Sequence, residues 1–448
     1  MIEKSIIFYE SIEKESIKKL GDKNSKEIDL EKVREEFEEV CKKAKNEKLS
    51  KSKSLVGFVK TRNFLIEFHP KIWEDLNDDK KEIKNIVEFF KYAFLNEKLI
   101  NESMSLRKLE KTDSIYQFFI RLYMLWLEKA IKEGFYFEYS ERFDESNYSK
   151  ARIELKKQIN KLDKSKFSID YYEYDTNNIL NQNIKYANYY LVNEIEDFNL
   201  KKDLINIINQ FPDEISNIYS WVDKDIIFSK LNGRFEIPYN YASNLVRNRS
   251  SFTEYGKRKY LWFLFDMNKV FENFVANFLE KNKDKIFENP SEVEILIQNG
   301  ERNFIIEKNN NSKKSPLRST IPDILIEYSD NKIIIDTKYK IINRKNDMDE
   351  KLLENNDEDE NLTDNKSISN TDLYQIFTYS QIYGSENNIL IYPSANKTSF
   401  SRPYYFLNNS NSKKFYYGFI NLNFADNKGE KTIKEFKEFF KKIFGHNG

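Results

Sequence analysis

The chain is poor in the residues that carry most catalytic chemistry. It has one cysteine, Cys41, in 448 residues. No intrachain disulfide can form, and a reducing, cytoplasmic setting is the expectation. It has two histidines, His69 and His446. Zinc sites built from cysteine and histidine need three or four such ligands. Ser-His-Asp and Cys-His mechanisms would have to run through His69 or a C-terminal tail expected to fray. His69, in IEFHPK, reads as an ordinary histidine at the end of an alternating strand. Catalysis therefore falls to carboxylates, lysine and a hard divalent cation such as Mg²⁺, which prefers oxygen ligands. Glycine (11) and proline (8) are scarce, and neither GxxxxGK[ST] nor GxGxxG occurs. A P-loop NTPase is thus not expected in this chain. No apolar run approaches the ~20 residues of a membrane span. The opening MIEKSIIFYESIEKES mixes acids and bases through its apolar patch, so a secretory signal is not expected. Lys+Arg and Asp+Glu are 73 each, giving no net charge. A basic coat and an acidic tail are excluded as whole-chain properties, while a local basic groove stays open.

What is present suffices for a large folded protein. Hydrophobic residues make up 40% and aromatics 15%, too many for a disordered chain despite a mean hydropathy of −0.73. The length allows about two or three domains. Val56–Phe68 reads as two short strands, with Phe64, Ile66 and Phe68 on one face and Leu65 and Glu67 on the other. Pro70 should end the second. Lys80–Leu95 reads as a helix. Thr112 or Asp113 is the expected cap of the next, which carries Ile115, Phe118, Phe119, Leu122 and Leu125 at helical spacing and stops at Gly134. Phe135–Tyr139 reads as a strand and Ala151–Ile159 as strand or helix. Thr176 to Trp221 reads as two amphipathic helices, whose stripe of Tyr186, Tyr189 and Tyr190 suits a core better than a binding surface. A polar stretch, Asn248–Glu254, is the expected boundary.

After it, Lys259–Asn282 reads as one strongly apolar helix. Short strands follow at Val293–Gln298, Phe304–Glu307, Ile321–Tyr328 and Lys332–Tyr339. Asn343–Asn370 is polar, acidic and long for a loop. Asp372–Tyr383 reads as a helix capped by Thr371 or Asp372 and closed by Gly384. Strands at Asn388–Tyr392, Tyr404–Leu407 and Phe415–Asn423 and a helix at Lys431–Phe444 complete the pattern. Interleaved strands and helices make the expected class α+β and multidomain. The expected layout is a mixed α/β domain over 1–165, a helical middle region over 166–254 and an α/β domain over 255–448.

The segment that carries chemistry is IPDILIEYSDNKIIIDTKYK. Two apolar strands flank a turn at Ser329–Lys332, with Asp323 near the start of the first and Asp336 and Lys338 near the end of the second. Strand alternation puts Asp336 and Lys338 on one face and Thr337 on the other. Antiparallel pairing about the turn would bring Asp323 beside them. Two buried carboxylates repel, and a divalent cation relieves that repulsion. Mg²⁺ bound by Asp323, Asp336 and the Thr337 carbonyl suits phosphodiester hydrolysis, with Lys338 orienting or deprotonating water or offsetting charge on phosphorus. The literal pattern of a Pro-Asp, a gap and an acid-x-Lys is weak in a chain this rich in Asp, Glu and Lys. Its surroundings add to it. Glu272, on a helix with Phe271, Phe274, Val275 and Phe278, either reaches a metal or its waters or is a solvent-side acid. Gln375 and Tyr379 stand at i and i+4 on one helical face, able to bond a phosphate or a metal-bound water or to form a plain surface pair. Lys313, Lys314, Arg318, Lys340, Arg344 and Lys345 flank the motif. They can grip DNA phosphates together, although each alone reads as a solvated loop residue.

At LFDMNKVFENFV, PDILIEY, IIIDTKYK and TDLYQIFTYSQIYG, in that order, the sequence resembles the PD-(D/E)xK nuclease superfamily. More narrowly it resembles the McrC family, the nuclease subunit of McrBC-type modification-dependent restriction systems. FVKTRNFLIEFHPKIW and YSKARIELKKQI have weaker counterparts there. Thr337 stands where small residues such as alanine are usual. The resemblance implies a restriction-endonuclease-like fold for the C-terminal domain, and a catalytic core of Asp323, Asp336 and Lys338 with Glu272 and Gln375 in support. It implies Mg²⁺ as cofactor, and double-stranded, modified DNA as substrate. It also implies an N-terminal domain that docks on the ring of an AAA+ GTPase or NTPase of McrB type and stimulates its hydrolysis. Two other readings stand beside it: an NTPase-activating adaptor that no longer cuts, and a PD-(D/E)xK nuclease of another defence system.

Overall fold

The structure is a computed structural model that describes residues 4–10, 17–20, 29–43, 54–61, 63–76, 78–94, 109, 112–148, 152–160, 165–247, 261–298, 302–308, 314–328, 331–342, 368–406, 413–424 and 429–444. The expected boundary at Asn248–Glu254, most of Asn343–Asn370 (Arg344 and Lys345 included), Ser329, Lys313 and His446 lie outside these residues.

The N-terminal sheet forms first in the chain. Strands β1 (Lys4–Tyr9) and β2 (Ile17–Leu20) precede helix α1 (Leu30–Lys43) and the hairpin of β3 (Leu55–Lys60) and β4 (Phe64–His69). The alternation in β4 sorts as expected. Phe64, Ile66 and Phe68 pack with Phe8, Phe37 and Val40, while Leu65 faces the larger core on the other side. Pro70 follows β4 and ends it. Helices α2 (Asp79–Phe94) and α3 (Ile115–Lys132) come next. The cap of α3 is Ser114, which accepts from the Gln117 N–H, rather than Thr112 or Asp113.

A small antiparallel sheet follows: β5 (Glu138–Ser146), β6 (Arg152–Ile153), helix α4 (Leu155–Asn160) and β7 (Phe167–Asp175), in the order β5-β7-β6. Two helices, α5 (Ile179–Glu194) and α6 (Phe198–Ile208), occupy the expected middle stretch, and α7 (Glu236–Arg247) packs on α5. The tyrosine stripe divides: Tyr190 is buried and Tyr189 exposed. Together with Tyr186, Asn193 and Tyr219 they line a cleft of about 430 Å³.

The expected helix over Lys259–Asn282 is corrected. Leu261–Asp266 is a strand, β8, and only Met267–Lys281 is helical (α8). β8 pairs antiparallel with β3, Phe58 opposite Phe263, and closes the N-terminal sheet in the order β2-β1-β4-β3-β8. Phe263 faces the large core and Leu264 the smaller one. With both faces covered, the strand shows no alternation to separate it from the helix that follows. Gly57 allows the close pairing: a Cβ there would lie 2.0 Å from the Phe263 carbonyl oxygen. Asp266 ends the strand and caps α8 through the Asn268 N–H at 2.9 Å.

After the single turn α9 (Lys283–Ile286) come β9 (Val293–Ile297), the hairpin β10 (Arg302–Lys308) and β11 (Lys314–Thr320), then β12 (Ile324–Tyr328) and β13 (Asn331–Thr337). Helix α10 (Asn370–Tyr383) leads to β14 (Asn387–Ser394), the short β15 (Ser399–Phe400) and β16 (Tyr404–Tyr405), then β17 (Lys414–Asn421) and α11 (Glu430–Phe444). The cap of α10 is Ser369, not Thr371 or Asp372, and Gly384 closes it at φ +68°. The second large sheet runs β15-β17-β14-β13-β12-β9, with β16 beside β17. β13, β14 and β17 are parallel, β12 is antiparallel to β13, and β9 is antiparallel to β12. Ile333 and Ile335 face the core that holds α8 and α11. Ile334 faces α10 through Tyr379 and Tyr383.

One apolar core joins the two large sheets. Phe89 of α2 meets Phe274 of α8 at 4.7 Å between ring centroids, and the Trp73 indole donates to Asn423 at 2.8 Å. The architecture is mixed α/β with several sheets, as the class α+β anticipates. Among the described residues no helix is long and apolar enough to cross a membrane.

Candidate functional site

The site forms where β12 and β13 part. Their antiparallel ladder pairs Ile324 with Ile335, so Asp323 and Asp336 are the next residues in register. On the other side β13 runs parallel to β14, and the Lys338 N–H extends that pairing to Ile391 at 2.9 Å. The carboxyl ends of parallel strands are where open α/β sheets place ligands.

Asp336 is completely buried. Its Oδ2 lies 2.6 Å from the Lys338 Nζ, and its Oδ1 has no hydrogen-bond partner among the described residues. Burial, and then the neighbouring Asp323, push its carboxyl up to about 7. Burial pulls Lys338 downward, but Asp336 and Asp323 outweigh it and hold the ammonium above the ordinary lysine value. Lys338 is thus a charged group pinned at the end of β13. It donates to Gln375 Oε1 at 3.1 Å, and Gln375 donates to the Tyr379 hydroxyl at 2.8 Å. The i, i+4 pair on α10 meets the strand lysine.

Asp323 is held from the other direction. Its Oδ2 accepts from the Thr337 N–H at 2.7 Å and from the Thr337 hydroxyl at 2.8 Å. Glu272, on α8, is mostly buried. It accepts from the Gln298 amide and lies 3.4 Å from Lys269. Burial and then Asp323 raise its carboxyl above the usual range, so the two acids share one field.

The structure therefore gathers Asp323, Asp336, Thr337, Lys338 and Gln375, with Glu272 on the flank. Among the described residues no three Asp, Glu, His or Cys side chains converge tightly enough to hold a metal by themselves. The side-chain donors on offer are the Asp323–Asp336 pair. An oxygen-only set with an orphaned, buried carboxylate oxygen suits a hard cation that keeps several waters. Of the flanking bases, Lys340 is bonded to Asp372 at 2.6 Å.

Two parts of this arrangement were absent from the sequence reading. Gln298, at φ +43°, sits in a left-handed conformation that few non-glycine residues adopt. Its amide reaches Glu272, and its N–H donates to the Asp323 carbonyl at 3.0 Å. Strain at such a position is commonly kept where it serves a site. The second is the side-chain bond from Thr337 to Asp323, since strand alternation alone turns Thr337 away from the acids. Nothing in local spacing marks either one, because both contacts are made between elements apart in the chain.

The fold and site define a mixed α/β protein with an acid pair and a lysine at the carboxyl end of a strand in a mixed sheet. The chain belongs to the McrBC 5-methylcytosine restriction system component family, whose model matches residues 50–393. This agrees with the resemblance at the four motifs. Similar solved structures include a chain from Thermococcus gammatolerans, in a refined half-complex from a tetradecameric assembly of McrB AAA+ hexamers with bound McrC. It is 17% identical, covers 98% of this chain and 100% of its own, and has a TM-score of 0.62. A chain of the T. gammatolerans McrBC complex, solved by cryo-EM, is 21% identical over 62% of this chain and 88% of its own, with a TM-score of 0.44. No curated protein matches.

Proposed function

We propose that this chain is the Mg²⁺-dependent DNA endonuclease subunit of a McrBC-type restriction complex, with a restriction-endonuclease-like C-terminal domain of the PD-(D/E)xK kind. The observation that carries the proposal is the convergence of Asp323, Asp336 and Lys338, with the buried Oδ1 of Asp336 left without a partner. Most buried carboxylate oxygens have a partner, and a bound cation would supply one here.

Asp323, Asp336 and the Thr337 carbonyl would hold the cation, and Glu272 would act through its waters. When bound, Mg²⁺ supplies a Lewis acid at the scissile phosphate and makes a bound water more acidic. The chain's own residues do the remaining work. Lys338, kept protonated by its carboxylate neighbours, offers positive charge to the phosphate oxygens as negative charge builds on them. Gln375, tied to Tyr379, fixes the lysine head group. The apolar walls of Ile333, Ile335, Ile389 and Ile391 exclude bulk water beneath the site. The family description supports DNA carrying a modified cytosine as substrate. The assembly of the structural relative supports an AAA+ NTPase ring of McrB type as partner, whose hydrolysis this chain would stimulate.

The test is cleavage of methylated and unmethylated plasmid in Mg²⁺, with the cognate NTPase and GTP or ATP. Wild type is compared with Lys338→Ala, and nucleotide turnover is followed in the same tubes. The variant should lose cleavage by roughly a hundredfold to a thousandfold and still stimulate turnover. Intact DNA with stimulated turnover in every tube would point to a non-cutting adaptor. Cleavage by the isolated chain would point to a nuclease of another defence system.

A further inference from the structure

The ladder between β12 and β13 stops at the Ile324–Ile335 pair. Beyond it, the Thr337 N–H bonds to a side chain, the Asp323 carboxylate, at 2.7 Å. The hydroxyl of the same threonine donates to the same oxygen, Oδ2, at 2.8 Å. Two donors from one residue on one carboxylate oxygen fix both the position and the rotation of that carboxylate. The N–H is available from any residue here except proline, but the hydroxyl is available only from threonine or serine. Thr337 is 8% exposed, so water does not readily replace the hydroxyl. A β-branched side chain in a strand has few rotamers, which holds the donor in place without further contacts.

We infer that the Thr337 hydroxyl is a positioning group that presets the Asp323 carboxylate beside Asp336 for a divalent cation. The inference rests on the proposed reading of the Asp323–Asp336 pair as a metal site, and it deepens that reading. A carboxylate held in one orientation loses less freedom when a cation binds, so its contribution to affinity is larger. The hydroxyl touches neither cation nor substrate; it acts through Asp323. Alanine at this position would leave the main-chain bond alone to orient the acid.

The test is titration of Mn²⁺ into the full-length chain by calorimetry, in wild type, Thr337→Val, Thr337→Ser and Asp336→Asn. Valine keeps the shape and strand preference of threonine and lacks the donor. Thr337→Val should bind Mn²⁺ more weakly on the order of tenfold, the size of effect one hydrogen bond to a charged group carries. Thr337→Ser should bind as wild type does. If Thr337→Val does not fold, Thr337→Ala against Thr337→Ser makes the same contrast. Equal Mn²⁺ affinity in the variants with and without the hydroxyl overturns the inference and leaves the metal site standing. Mn²⁺ binding that survives Asp336→Asn, or none in wild type, overturns the metal site and the inference with it.

Discussion

At the N-terminal sheet, two buried acids, Glu67 of β4 and Glu82 of α2, flank a buried base, His69. In the C-terminal sheet, two acids, Asp323 and Asp336, flank Lys338. The ingredients are alike and the satisfaction is not. Glu82 Oε1 meets His69 Nδ1 at 2.6 Å, and Tyr9 donates to both Glu82 oxygens at 3.2 Å. Glu67 accepts from the N–H groups of Ile115 and Tyr116 at 3.3 and 3.2 Å, with His69 Nε2 at 3.3 Å. Every carboxylate oxygen in the first cluster has a donor, and two of those donors belong to the first turn of α3. The cluster fastens a helix N-terminus to a sheet. In the second, Asp336 Oδ1 has none among the described residues. A closed network stabilises a fold, and an open one has capacity for something else.

That comparison can be broken from either side. The largest effect is expected at Glu67. Glu67→Ala removes a buried acid and leaves His69 and two N–H groups without their acceptor. It should cost about 3–5 kcal/mol of stability, read by denaturant unfolding. A loss within the range of ordinary surface substitutions would mean the cluster is not structural.

His69 gives the next effect. Burial alone would lower its pKa, but the bonds to Glu67 and Glu82 outweigh burial and raise it above 6.5. The folded value exceeds the unfolded one, so the protonated histidine contributes stability fully below about 6.5, and the contribution is lost as pH rises through the raised value. The stability gap between wild type and His69→Gln should therefore be widest in mild acid and narrow toward alkaline pH. A gap that widens with pH would show that His69 is neutral in the fold.

The smallest effect is expected at Gln298. Its amide holds Glu272 beside Asp323. Gln298→Ala should lower cleavage by about fivefold, the scale of one hydrogen bond of about 1 kcal/mol. Unchanged cleavage would remove Gln298, and Glu272 with it, from the working site.

The sequence disclosed the second cluster better than the first. Asp323, Asp336 and Lys338 lie on two strands joined by a short turn, so alternation and antiparallel pairing alone bring them together. His69 reads as an ordinary strand-end residue because Glu82, its partner at 2.6 Å, lies on a separate helix, and the N–H donors that satisfy Glu67 lie on another. The same limit hides Gln298, which reaches a helix, and the hydroxyl of Thr337, which reaches the residue before the neighbouring strand. Nothing in the sequence separates β8 from α8, because Trp262–Phe265 is apolar without a break and runs directly into a true helix. The caps Ser114 and Ser369 were each missed by a short step, because several polar residues precede both helices and only geometry selects the one that reaches an N–H.

The central claim is that the C-terminal cluster is held for a reaction and not for the fold, and Asp336→Asn tests it most directly. Asp336 has a pKa raised to about 7, above the unfolded value, so in the metal-free protein its ionised form costs stability as pH rises through that value. The measurement is thermal unfolding of wild type and Asp336→Asn without divalent cations, above that pH, with cleavage assayed on the same preparations in Mg²⁺. The account predicts an unchanged or higher melting temperature together with lost cleavage. A variant that unfolds well below wild type, or one that still cuts, would contradict it.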